Sequence, residues 1–225
     1  MEAFSAAIEQ KADGIELDVQ LTKDGEIVVA HDERLERVSN GTGFLGDYTL
    51  DELKSLDFGK PLPDGKEYRI PTLLEVLSLV KTTSLTVNIE LKNTVRLYPE
   101  LPQKVIRLVK DFAMEEQVIY SSFNHYSLLE LKKLEPSAKT GVLYEMGMVD
   151  PWVYAEYVKA DSINPHYFVI AALPETVVSC HEKGIKVAVW NADDPQSISL
   201  MLKCGVDIII TKTPEAAIAL RGEIL

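Results

Sequence analysis

The stretch Gly14-Ile15-Glu16-Leu17-Asp18-Val19 decides the reading of this chain. Strand side chains alternate faces, so Ile15, Leu17 and Val19 share one face while Glu16 and Asp18 share the other. If the apolar face packs against helices, both carboxylates point inward. Two such groups in a low-dielectric space repel strongly unless something positive sits between them. A second strand repeats the pattern in Asn88-Ile89-Glu90-Leu91-Lys92, where Glu90 and Lys92 share a face. Three inward carboxylates at strand ends are the makings of a hard-cation site, because oxygen ligands select Mg²⁺, Ca²⁺ or Mn²⁺. The alternative is an internal salt-bridge cluster around Lys92, although one lysine cannot balance three acids.

Working outward, strand and helix patterns alternate almost to the C-terminus. Strands are expected at Gly14–Val19, Glu26–Ala30, Leu85–Leu91, Val118–Ser122, Thr140–Tyr144, Ser162–Asn164, Lys186–Trp190 and Asp207–Ile210, short segments rich in β-branched residues. Helical periodicity fills the intervals at Glu2–Lys11, Leu73–Val80, Leu101–Phe112, Tyr126–Leu134, Pro151–Val158, Pro174–Glu182, Pro195–Lys203 and Pro214–Leu220. Four of these open on a proline, whose missing N–H would be unsatisfied in a first turn anyway. Gly184 and Gly205 follow two of the helices as C-terminal caps. Such alternation implies parallel strands joined by crossover helices. No Gly-rich phosphate turn follows a first strand, which speaks against an open doubly wound sheet. Polar residues at the C-terminal ends of several strands speak for a TIM-type (β/α)-barrel, whose sites lie there.

The turn Asp24-Gly25 predicts a hairpin that returns His31 beside Glu16 and Asp18. An imidazole in that place suits proton transfer near neutral pH. The rhythm then breaks over residues 32–71, which contain Asn40-Gly41, Pro63-Asp64-Gly65 and one helical piece at Leu50–Leu56. The segment reads as an insertion over the barrel mouth. The whole of residues 1–225 reads as one domain.

With 23 basic and 35 acidic residues the formal charge is −12, which argues against wrapping nucleic acid. It does not exclude a small anionic substrate, since a bound cation inverts the local field. Cys180 and Cys204 are expected as helical, small apolar residues and not as a disulfide. No signal peptide is visible and no apolar run approaches the ~20 residues of a membrane span, so a cytoplasmic location is expected.

Taken together, Gly14 to Gly25, Val28-Val29-Ala30-His31-Asp32, Asn40-Gly41-Thr42-Gly43, Pro71-Thr72-Leu73, Asn88 to Lys92, Ser122-Phe123-Asn124-His125 and Val189-Trp190-Asn191 resemble the bacterial glycerophosphodiester phosphodiesterases. The resemblance covers essentially the whole chain. It implies a TIM barrel, one divalent cation (Mg²⁺ or Ca²⁺) on Glu16, Asp18 and Glu90, and His31 as one of two catalytic histidines. It places Lys92 along the phosphate site, with Phe123 and Trp190 walling the glycerol end. The implied reaction is metal-assisted cleavage of a small-molecule glycerophosphodiester to glycerol-3-phosphate and an alcohol.

The chain departs from that pattern at its start. Family members open on a strand ending in His-Arg-Gly and a loop carrying Glu-Asn-Thr, whereas Met1-Glu2-Ala3-Phe4 corresponds to the helix that follows. The expectation is therefore a barrel lacking its first strand and second catalytic histidine, from a fragment or a mis-set start. His125, His166 and His181 are expected as surface or packing residues. With half of the acid–base pair absent, activity would fall ~10²–10⁴-fold. Two other readings follow: a non-catalytic cation- and phosphodiester-binding protein, and a phospholipid phosphodiesterase. For the latter the insertion offers only the isolated Phe44, Leu45 and Tyr48 among acids.

Overall fold

Eight strands form one sheet in the order β2-β1-β3-β4-β5-β6-β7-β8 in the computed structural model, which describes residues 1–59 and 65–224. They are β1 (Gly14–Leu21), β2 (Ile27–Val29), β3 (Thr86–Leu91), β4 (Val118–Ser122), β5 (Lys139–Tyr144), β6 (Ser162–Pro165), β7 (Lys186–Val189) and β8 (Ile208–Ile209). Only β1 and β2 pair antiparallel; every other neighbouring pair is parallel. The Asp24-Gly25 turn makes that hairpin, with Gly25 at φ +83° and its N–H donating to the Thr22 carbonyl. Thr22 ties the turn further, giving a hydrogen bond to Asp24 and accepting one from the Glu26 N–H.

Helices cover the outside: α1 (Glu2–Glu9), α2 (Leu50–Ser55), α3 (Leu73–Val80), α4 (Leu101–Asp111), α5 (His125–Leu134), α6 (Pro151–Val158), α7 (Tyr167–Ala172), α8 (Glu175–Glu182), α9 (Pro195–Cys204) and α10 (Pro214–Ile224). The apolar set of β1 (Ile15, Leu17, Val19) joins Val76, Leu77, Val105 and Val109 of α3 and α4 in the main core. That burial turns the polar set inward. The helix α7 is not signalled by the sequence pattern. Its six residues, Tyr-Phe-Val-Ile-Ala-Ala, are too short and too uniformly apolar for a period to show. Gly205 caps α9 in the left-handed conformation, and Gly184 closes the turn after α8 at φ +71°. Pro174 stands at the N-cap of α8, one residue earlier than the helical start expected of it.

The sheet curls as a TIM-type barrel wall, and among the described residues its edges, the β1–β2 hairpin and β8, are not paired to each other. Among the described residues β2 pairs with Val19–Leu21 of β1 and Ala30 adds one bond to Asp18 O, so Gly14–Leu17 pair on the β3 side alone. Arg221 of α10 reaches across to Asp13, just before β1, at 2.6 Å.

The segment after β2 has a small core of its own, in which Leu35, Leu45, Leu53 and Ile70 pack with Val28. It is tied to the β1–β2 turn through Lys23 N–H to Tyr48 O and Leu50 N–H to Asp24. An Arg96–Asp47 ion pair at 2.6 Å ties it to the loop after β3. Both anchors lie at the C-terminal ends of parallel strands, the barrel mouth. Pro63 and Asp64 of the expected turn lie outside the described residues.

Candidate active site

In the parallel register of β1 and β3, Asp18 pairs with Glu90 and Glu16 with Asn88. The alternation that buries Leu17 and Ile89 thus brings three carboxylates to one spot inside the curl. Ligand oxygens of Glu16, Asp18 and Glu90 all lie within 4.8 Å of one another. Asp18 and Glu90 are each only 8% exposed. Lys92 follows two residues after Glu90, and its Nζ stands 2.9 Å from Glu90 Oε1 and 3.2 Å from Asp18 Oδ1.

One ammonium against three acids leaves the site overcharged. Burial, and then the neighbouring Asp18 and Glu90 charges, hold Glu16 well above the usual carboxylate range. Burial and the Asp18 charge likewise raise Glu90, against the opposing pull of Lys92. Burial disfavours the charge on Lys92, yet Asp18 and Glu90 outweigh it and hold the ammonium charged above its ordinary range. Three converging carboxylate oxygens, with Lys92 balancing only part of their charge, fit a hard divalent cation. Two ligands on opposite sides of such an ion stand roughly 4–5 Å apart, so oxygens within 4.8 Å of one another can share it.

His31 leaves the end of β2 beside this cluster. The Ala30 N–H donates to Asp18 O at 3.0 Å, and a charged His31 would favour the ionised form of Glu90. The ring is 66% exposed, with Nδ1 2.6 Å from Asp32 Oδ1. Asp32 is itself held by Arg37, whose Nε lies 2.5 Å from Oδ2. An ionised carboxylate only accepts, so Nδ1 carries the proton and Nε2 is left free.

Phe123 and Trp190 follow β4 and β7 directly. Their rings meet edge to face at 5.5 Å, across the mouth, although β5 and β6 separate their strands in the sheet. Trp190 is fixed by an Nε1–H bond to Asn164 O and by His166, whose ring meets it edge to face at 4.9 Å. The remaining histidines are engaged elsewhere. His125 bridges Tyr154 and the Leu143 carbonyl, His166 caps α7, and His181 pairs with Asp207. Sequence reasoning assigned no role to Asp32, Arg37 or Gln20. The alternation held the signal for Gln20, two residues past Asp18 on the same face.

Comparison with known proteins adds to this geometry. The glycerophosphoryl diester phosphodiesterase family model matches residues 1–216. A glycerophosphodiester phosphodiesterase of Caldanaerobacter subterraneus subsp. tengcongensis is 48% identical over 221 residues, covering 97% of this chain and 89% of the relative. The crystal structure of a Thermotoga maritima glycerophosphodiester phosphodiesterase is similar at 32% identity with a TM-score of 0.76, covering 98% of this chain and 89% of that one. At 24% identity and a TM-score of 0.87, an Oleispira antarctica phosphodiesterase, solved with the product sn-glycerol-3-phosphate, shares the fold over 96% of this chain and 88% of its own.

Proposed function

Since the chain belongs to the glycerophosphoryl diester phosphodiesterase family and is by that membership a phosphodiesterase, we propose that it hydrolyses glycerophosphodiesters with one divalent cation held by Glu16, Asp18 and Glu90. The observation that carries the cation is the convergence of three carboxylates on one largely buried spot, where the Lys92 ammonium offsets only part of their charge. A bound Mg²⁺ or Ca²⁺ would polarise a phosphoryl oxygen and gather developing charge.

The chain's own groups do the rest. His31 Nε2 exchanges a proton at the reacting oxygen, with Asp32 fixing the tautomer through Nδ1. Lys92, relieved of part of its debt to the acids when a cation shares them, faces a phosphate oxygen. Phe123 and Trp190 give the glycerol end an apolar wall. The products we infer are glycerol-3-phosphate and the free alcohol, and the setting is cytoplasmic. Among the described residues no helix is long and apolar enough to cross a membrane.

A second reading, a cation and phosphodiester binder without turnover, is favoured by one observation: His125, His166 and His181 are all committed to packing partners, leaving His31 without a second imidazole beside the acids. Hydrolysis of glycerophosphocholine, run with Mg²⁺, with Ca²⁺ and with chelator, separates the two. Cation-dependent turnover abolished in Glu16→Gln/Asp18→Asn supports the enzyme. Calorimetric cation binding without turnover in any condition selects the binder.

A further inference from the structure

Gln20 is the third inward residue of β1, after Glu16 and Asp18 at two-residue steps, and its side chain is fully buried. Its Nε2 donates to Ala30 O at 2.9 Å and to Asp32 O at 3.0 Å. These are the carbonyls immediately before and after His31. The other end of the amide, Oε1, is buried and accepts no hydrogen bond. A core amide with an orphaned acceptor is a cost that an apolar residue of the same shape would avoid. What the amide contributes is thus concentrated in its two donated bonds.

We infer that Gln20 is a positioning residue for His31. The β1–β2 ladder reaches only to Val29, and the Ala30 N–H makes the last strand-like contact, with Asp18 O. Beyond that point the chain leaves the sheet, and His31 sits on a stretch with a largely solvent-exposed ring. Gln20 clamps the backbone on both sides of that one residue from inside the barrel. Asp32, held in turn by Arg37, sets the rotation of the ring from outside. Neither hold suffices alone: a carboxylate on Nδ1 can swing with its own backbone, and a fixed backbone leaves the ring free to turn. Together they aim Nε2 in one direction. Because Gln20 springs from the strand that carries Glu16 and Asp18, the proton-transfer group and the cation ligands share one rigid frame. The proposal rests on the reading of His31 as the proton-transfer residue.

The test uses Gln20→Met, which keeps the length and removes both donors, with His31→Ala and the double variant. On glycerophosphocholine with Mg²⁺, Gln20→Met is expected to lose about ten-fold or more in kcat with KM little changed, since small misplacements of a reacting group are costly. The melting temperature should change little, since removal of the orphaned Oε1 offsets the loss of the donor to the Ala30 and Asp32 carbonyls. The His31 ring resonances, assigned by their loss in His31→Ala, should shift or broaden. In the His31→Ala background Gln20→Met should add no further loss. Wild-type kcat in Gln20→Met, an equal loss in the His31→Ala background, or a loss that tracks a fallen melting temperature would each overturn the proposal. If the chain shows no turnover at all, the functional reading has failed separately; unchanged His31 resonances in Gln20→Met then overturn the positioning role by themselves. Should Gln20→Met not fold, Gln20→Asn, which withdraws the amide by one methylene, serves with the same readouts.

Discussion

Among the described residues, Lys92 brings the one positive charge that lies against both Asp18 and Glu90 at ion-pair distance. Removing one partner of a buried ion pair leaves the other charged and dry, at a cost on the order of 3–5 kcal/mol. In urea denaturation, Lys92→Met is therefore expected to lose about that much in chelator and to recover much of it in Mg²⁺. A loss indifferent to the cation would mean that the three acids do not hold one. The same acids impose a pH dependence. Glu16 and Glu90 are raised in the folded chain, so it keeps protons that the unfolded chain has released. Their contribution to stability is complete below the ordinary carboxylate value and is lost as pH climbs through the folded values. In chelator, the melting temperature of the wild type should fall relative to Glu16→Gln as pH rises from about 5 past neutrality. A constant difference would count against the raised values. At this scale the acids were legible because alternation is geometric: once Ile15, Leu17 and Val19 are apolar, Glu16 and Asp18 have one place to go. The clamp by Gln20 and the brace of Asp32 by Arg37 were not, because they depend on which backbone atoms lie within reach after the hairpin closes.

Elements show the same division. Period and punctuation marked all eight strands and most helices, since β-branched runs and N-terminal prolines act locally. The helix α7 escaped because its Tyr167–Ala172 run is short and is anchored by a contact that is not local, the Tyr167 N–H bond to Trp190 O. Strand-to-strand fit was equally invisible. Gly141 of β5 pairs with Ser162 of β6, and a Cβ on Gly141 would stand 2.4 Å from Asn164 Oδ1. Asn164 is buried and accepts from Ser162 Oγ at 2.7 Å, so it has little freedom to retreat. Gly141→Ala should cost about 1–3 kcal/mol in denaturant titration, as overpacking does. The pair Gly141→Ala/Asn164→Ala should recover part of it; a Gly141→Ala chain as stable as wild type would show that the interior there is loose.

Over the whole molecule, the acids are supported unequally on their two sides. β1 supplies two of the three carboxylates, yet among the described residues Gly14–Leu17 are laddered to β3 only, and the far edge of the sheet ends at β8. The Arg221–Asp13 pair spans that opening, and an exposed pair of this kind contributes little. An ion shared by Asp18 and Glu90, which face each other across the β1–β3 ladder, would act as a rivet through two planks. Its presence should then be readable as time. Amide hydrogens of β1 and β3 are expected to exchange markedly more slowly in Mg²⁺ than in chelator, with those of β5 and β6 scarcely altered. Equal slowing everywhere would mean that the ion merely raises global stability. The stiffness of the strand that does the chemistry would thus be set by a dissolved ion's concentration as much as by its own backbone bonds, giving the barrel a wall that tightens when metal is plentiful.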